Sequence, residues 1–101
     1  MKISQTFKSH YFRASDFGDE ERALVIADVR TEEVGKDREI KPVMRFEDEE
    51  QGFVLNRSNG RVMATAWGDE TDAWKGKTII LYTTLVSTPN GTGQGIRVRI
   101  P

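Results

Sequence analysis

The sequence predicts a small, mainly β domain, and three features carry that reading. Leu, Val, Ile and aromatic residues gather in short runs separated by Gly, Pro and acidic clusters. Only the 57–67 stretch sets apolar residues at helical spacing, and the final run, Gly95 to Ile100, alternates strictly between apolar and polar. With 101 residues the chain is long enough for one core and too short for two, since domains run about 50 to 250 residues. A single domain spanning 1–101 follows.

Phe7 to Phe17 reads as one or two short helical turns, with Ser9 and Ser15 as caps and Phe7, Tyr11 or Phe12, and Phe17 as anchors to the core. Ala23 to Val34 is the first strand, long enough to bend between two sheet faces. Gly35-Lys36-Asp37 turns the chain into a second strand, Glu39 to Glu47. There Ile40, Met44 and Phe46 share one face and Lys41, Val43 and Arg45 the other, while Pro42 marks an edge or bulge because it has no N–H to donate. The acidic run Glu47 to Glu50 makes a loop, and Gly52 to Leu55 is a short third strand.

Asn56 or Ser58 can cap the helix that follows, with Val62, Met63, Ala66 and Trp67 on its apolar face and Gly68 as its stop. Thr71 to Trp74 adds one more turn. Thr78 to Val86 is the fourth strand, Pro89 to Gly93 a turn by composition, and Gly95 to Ile100 the fifth strand. In the fourth strand Ile79, Leu81 and Leu85 lie on one side and Ile80 and Tyr82 on the other.

Three strands in a meander, a helix, then two strands is the element order of the five-stranded oligonucleotide-binding (OB) barrel, whose helix plugs one end between strands 3 and 4. A small SH3-type barrel usually lacks that helix. A ferredoxin-like fold needs a helix between its first two strands. The expected fold is therefore an OB-like barrel with one helix between strands 3 and 4 and a short N-terminal helical turn.

Composition narrows the function. The absence of cysteine excludes disulfides and Cys-based zinc sites and favours an intracellular, cytoplasmic home. Residues 1–12 hold no signal-peptide run, and nothing approaches the roughly 20 apolar residues of a membrane helix. A net charge of -1 argues against coating duplex DNA. The charge is uneven, however: residues 1–50 hold nine Lys or Arg against thirteen Asp or Glu, and residues 51–101 hold six against three.

The stretches KPVMRFE, GFVLNRSN, WGDETDAWKGKTIILY and GIRVR, between Lys41 and Arg99, together with Tyr11-Phe12-Arg13-Ala14-Ser15-Asp16-Phe17, resemble small uncharacterised proteins of bacteriophages and prophages. That group carries Lys-Pro-Val, Gly-Leu-Val-Leu-Asn, Gly-Asp-Asp-Thr-Asp-x-Trp-x-Gly-Lys and Ile-Arg-Val-Arg. Here Phe53 stands for the usual Leu and Glu70 for an Asp. The resemblance implies a barrel protein encoded in a replication or recombination region, which raises single-stranded DNA as a ligand.

Catalysis finds little support. The chain has one histidine, His10, and no evident convergence of acid, base and nucleophile, so a non-enzyme without a cofactor is expected. Asp69, Glu70 and Asp72 offer carboxylates of the kind that bind magnesium, but their setting suits turn capping before Trp74. Gly91 to Gly95 is glycine-rich yet precedes a strand, whereas a phosphate-cradling loop opens a helix.

The expected binding surface is outward, basic and aromatic. Alternation puts Arg97 and Arg99 on one face of the fifth strand, with Tyr82 beside them as a stacking platform. Lys36, Arg38, Lys41 and Arg45 line the first hairpin and the outer side of the second strand. Phe53 is either a core residue or an aromatic partner on the third strand; Trp67 and Trp74 read as packing residues. Single-stranded nucleic acid is the leading ligand. The alternative is a protein-interaction module, an adaptor or an inhibitor of a host nucleic-acid enzyme, whose acidic segments 47–50 and 69–72 meet a basic partner. An uncovered strand edge also admits a homodimer.

Overall fold

The computed structural model describes residues 10–101. Its elements, in order, are a 3-10 turn (Ala14–Asp16), β1 (Arg22–Val34), β2 (Glu39–Phe46), β3 (Phe53–Val54), α1 (Arg57–Trp67), a second 3-10 turn (Thr71–Trp74), β4 (Thr78–Thr88) and β5 (Gly91–Arg99). The strands form one antiparallel sheet in the order β3-β2-β1-β4-β5. The mainly β class and the single helix between β3 and β4 are as the sequence predicts. Barrel closure is not observed: β3 and β5 are the two edges of the sheet and do not pair with each other.

β1 holds the sheet together by serving two partners. Arg22 to Val25 pair with β4, and Ile26 to Val34 pair with β2. The register slips between Ile26 and Asp28. A bulge adds one residue and so reverses which parity faces inward. Leu24 and Ile26 face the core before it and Val29 faces the core after it, which sends Asp28, Arg30 and Glu32 to the outer face.

One core joins all five strands. Ile26, Met44, Phe46, Phe53, Leu55, Ile79, Leu81 and Val98 are buried together with Met63 of α1, Trp74, Phe12 and Phe17. Although the edges do not pair, other segments reach across the seam. Phe12 N–H donates to Gly52 O at 2.8 Å beside β3, and the first 3-10 turn lies against β5. On α1, Asn59 donates through Nδ2 to the Ile96 carbonyl at 3.1 Å, giving that edge carbonyl a partner. Leaving either group bare in the interior costs about 1–3 kcal/mol, which explains a 2% exposed asparagine on an otherwise apolar surface.

The expected ends of the helix are observed, and several other local expectations are corrected. Asn56 caps α1, its Oδ1 accepting from Asn59 N–H at 2.8 Å, and Gly68 ends it with φ 94°. The buried residues are Asn59 and Met63, however, with Ala64 and Trp67 half-buried against the core and Val62 and Ala66 exposed. The expected helical turns at Phe7 to Phe17 shrink, within the described residues, to Ala14–Asp16. Asp16, not Ser15, closes that turn, accepting from Arg13 N–H at 2.8 Å. Phe7 and Ser9 lie outside the described residues.

Ile40 and Leu85 are exposed although each shares a strand face with core residues, because each sits where its hairpin has run past the strand that would cover it. The turn expected at Pro89 to Gly93 tightens to Pro89-Asn90, so that β5 begins at Gly91.

Candidate nucleic-acid interface

The expected surface separates into three places. Lys36 and Arg38 sit in the β1–β2 turn, where Arg38 adopts φ 51°, and both are exposed with no ion pair among the described residues. Lys41 leads out of that turn, its Nζ 3.3 Å from Glu39. The turn lies at the far end of β1 from β4, roughly 30 Å along the strand at ~3.3 Å per residue. It does not form one surface with Tyr82.

Arg45 is engaged by its own sheet. Its Nε and Nη2 donate to the two carboxylate oxygens of Glu32 at 2.9 and 2.6 Å, and Nη1 donates to Glu50 O at 3.2 Å. Tyr11 closes the group, donating from its hydroxyl to Glu32 Oε1 at 3.0 Å while its ring centroid lies 5.6 Å from the guanidinium. The Arg45 hydrogen bonds hold the Glu32 carboxyl below its ordinary value against a desolvation penalty. Desolvation first, then the bond to Glu32, raises the Tyr11 phenol.

Val43 is fully buried on this same outer side, against Gly52. The outer face of β2, one half of the expected binding surface, is therefore occupied by the protein's own side chains. Asp28, across from Arg45, has Oδ1 buried without a hydrogen bond; Arg30 Nε stands 3.5 Å away as an ion-pair partner only. Phe53 is 4% exposed and in the core, which removes it as a stacking residue. Trp74 is also a core residue, with its indole N–H on Gly68 O at 2.9 Å and its ring tilted against Trp67.

The third place fits the expectation best. β4 and β5 pair Tyr82 with Arg97 and Ile80 with Arg99, while their neighbours Leu81 and Val98 point into the core. Tyr82, Arg97 and Arg99 thus share the outward face. The Arg99 guanidinium lies 5.7 Å from the Tyr82 ring centroid, within cation–π range.

Arg99 also forks onto Glu21, Nη1 to Oε2 at 2.6 Å and Nη2 to Oε1 at 2.9 Å, and these bonds lower the Glu21 carboxyl. Arg97 makes no ion pair among the described residues. A shallow hollow beside them is lined by Asp19, Glu20, Glu21, Tyr82, Thr84 and Gln94, among others.

Further up the hairpin, β5 places Gly91, Gly93 and Gly95 opposite Thr88, Val86 and Thr84. Val86 leans over Gly95 so closely that a Cβ there would lie 2.8 Å from its Cγ2. Of the three only Gly95 makes room for a cross-strand side chain: a Cβ at Gly93 would meet Thr88 at an ordinary 3.6 Å, and Gly91 has open space around it at φ 122°.

No group of three or more His, Cys, Asp or Glu able to hold a metal ion occurs among the described residues, and none of their helices is long and apolar enough to cross a membrane. No protein-family model, curated protein or solved structure matches the chain.

Proposed function

We propose that this chain is a small OB-type module, encoded as a phage or prophage accessory protein and acting in the bacterial cytoplasm. It holds single-stranded nucleic acid, DNA first, on the outer face of β4 and β5. The observation that carries the reading is the grouping of Tyr82, Arg97 and Arg99 on one outward face, a stacking ring flanked by two guanidinium groups. Bases stack on such a ring whatever their identity, and arginines hold the phosphates between them.

The strand order, with its helix between β3 and β4, supports the OB-type architecture. Its closing ladder is replaced by the N-terminal segment at one edge and Asn59 at the other. Arg99 is shared with Glu21 and the chain is near neutrality, so affinity is modest and falls steeply with salt.

Fluorescence polarisation with a labelled single-stranded oligonucleotide tests this at low and moderate salt. Tyr82→Ala is expected to weaken binding roughly tenfold, the effect of removing one stack. Arg97→Ala with Arg99→Ala is expected to weaken it and to flatten the log–log salt dependence by about 0.7 for each phosphate no longer neutralised. No binding at high micromolar protein in low salt removes the reading. The second reading is a protein-interaction module, favoured by the acidic Asp19–Glu21 loop beside Tyr82 and by Glu21 on Arg99. That reading predicts silence in the titration.

A further inference from the structure

We propose that the free edge of β4 is a self-association surface, at which two copies of this chain pair antiparallel about a twofold axis through Leu85. β1 covers β4 only from Thr78 to Leu81, and beyond that point β4 has β5 on one side and, among the described residues, no strand on the other. The direction of its backbone groups follows from β5. Ile96 turns its carbonyl away from β4, toward Asn59, so its partner Thr83 must turn its own N–H and C=O away from β5. Leu85 and Ser87, opposite Gln94 and Thr92, have the same parity.

Lys77 carries this parity at the start of the strand, and there the carbonyl does reach β1, accepting from Ile26 N–H at 2.9 Å. From Thr83 to Ser87 the outward backbone groups meet no other segment among the described residues. The Thr83 hydroxyl contacts Gly18 O, which marks where the 18–21 loop ends the available edge.

Exposed edges are normally protected by charges, proline or a bulge. The strand from Thr83 to Ser87 carries none of them itself, and the carboxylates of Asp19 to Glu21 flank only its Thr83–Thr84 end. From Thr78 to Ile96 the chain carries no Asp, Glu, Lys, Arg or His, in a protein whose charged fraction is 31%. That composition points to a second copy rather than to an unrelated strand. A charge on a twofold axis meets its own copy, so an uncharged arm pairs with itself free of that repulsion.

In the register centred on Leu85, Leu85 faces Leu85 and Thr83 faces Ser87, all with outward backbone groups. Leu85, 69% exposed, then gains an apolar partner. Because the axis is perpendicular to the sheet, both copies present Tyr82, Arg97 and Arg99 on the same side. The pairing does not depend on nucleic acid.

Size-exclusion chromatography with light scattering over a concentration series tests it on the whole chain. The short edge buries less than the ~1,200 Å² at the lower bound of standard interfaces, so a dimer that dissociates on dilution is expected. Leu85→Lys puts like charges on the axis and leaves a monomer at every concentration. Leu85→Pro removes an outward N–H without touching the β4–β5 ladder, and also leaves a monomer.

Since the chain has no cysteine, Leu85→Cys gives one thiol per copy, and a short reagent with two thiol-reactive electrophilic groups is expected to link two copies at high protein concentration. A wild-type chain that stays monomeric up to its solubility limit overturns the proposal. So does a dimer that survives Leu85→Lys, or a Leu85→Cys chain that fails to cross-link. If Leu85→Pro does not fold, the other two variants still decide.

Discussion

The molecule contains the same trio of residues twice, and the two copies are built for different ends. Arg45, Tyr11 and Glu32 stand on the outer face of β1 and β2; Arg99, Tyr82 and Glu21 stand beside β4 and β5. In each, the guanidinium forks onto the carboxylate and lies over the ring, at 5.6 and 5.7 Å from the centroid. Burial separates them. The Arg45 and Glu32 side chains keep 24% and 19% of their exposure, against 47% and 50% for Arg99 and Glu21. The Tyr11 hydroxyl, moreover, is committed to Glu32.

An ion pair shielded from water keeps more of its Coulomb energy and also costs more when one partner is removed. The first trio therefore fastens the N-terminal segment to the sheet. The second holds charges and a ring where a ligand can reach them.

The largest effect expected from this contrast comes from two glycines. A Cβ at Gly52 would sit 2.8 Å from Val43 Cγ1 and 3.1 Å from Arg45 Cζ; a Cβ at Gly95 would sit 2.8 Å from Val86 Cγ2. The overlap is the same but the room to relieve it is not. Val43 is fully buried, whereas Val86 lies half-exposed on a hairpin that no third strand of the described residues joins. Gly52→Ala is expected to cost about 1–3 kcal/mol in urea unfolding, the usual range for overpacking. Gly95→Ala should cost clearly less, by rotation of Val86. Equal losses would mean that the hairpin is as closed as the base.

Next in size is Glu32→Gln, which leaves the Arg45 charge without its carboxylate and should cost about 1–2 kcal/mol at pH 7 after allowance for solvent screening. The pH dependence has a fixed sign. The Glu32 carboxyl sits below its ordinary value of 4.5 in the folded chain, so its stabilisation is complete above that value and disappears as pH falls through the folded one. Wild type and variant are expected to differ most near neutrality and to converge in acid. Parallel unfolding curves down to the lowest pH would show that Arg45 does not need the charge.

How far the sequence reveals this contrast depends on which interactions are local. Alternation within β4 and β5 is a property of one strand each, and it correctly aligns Tyr82, Arg97 and Arg99. The capping of α1 by Asn56 is legible for the same reason. The Arg45 trio is not, because it joins residues from the N-terminal segment, β1 and β2, and its register depends on a bulge at Ala27 that no local pattern announces.

Nor can the buried stripe of α1 be found by hydrophobicity alone, since its second-most buried member is an asparagine whose partner lies 37 residues away. Phe53 illustrates the remaining ambiguity: between Gly52 and Val54 it has no alternation to read, and only the pairing with Met44 sets its direction inward.

The smallest expected change in stability, and the most informative for the exposed trio, is Glu21→Gln. Both partners of this pair are in solvent, where ion pairs contribute little, so the melting temperature should not move. The consequence is for ligand affinity. The fork from Arg99 keeps the Glu21 carboxyl below its ordinary range, so mild acidification leaves the pair ionised; substitution is needed to release the guanidinium. With Glu21 neutral, Arg99 turns to a phosphate at no cost of breaking an ion pair, and binding of a labelled single-stranded oligonucleotide should tighten several-fold at low salt, with a steeper salt dependence. If affinity instead falls, Glu21 is positioning Arg99 over Tyr82 for the ligand, and the exposed trio is preorganised as the buried one is.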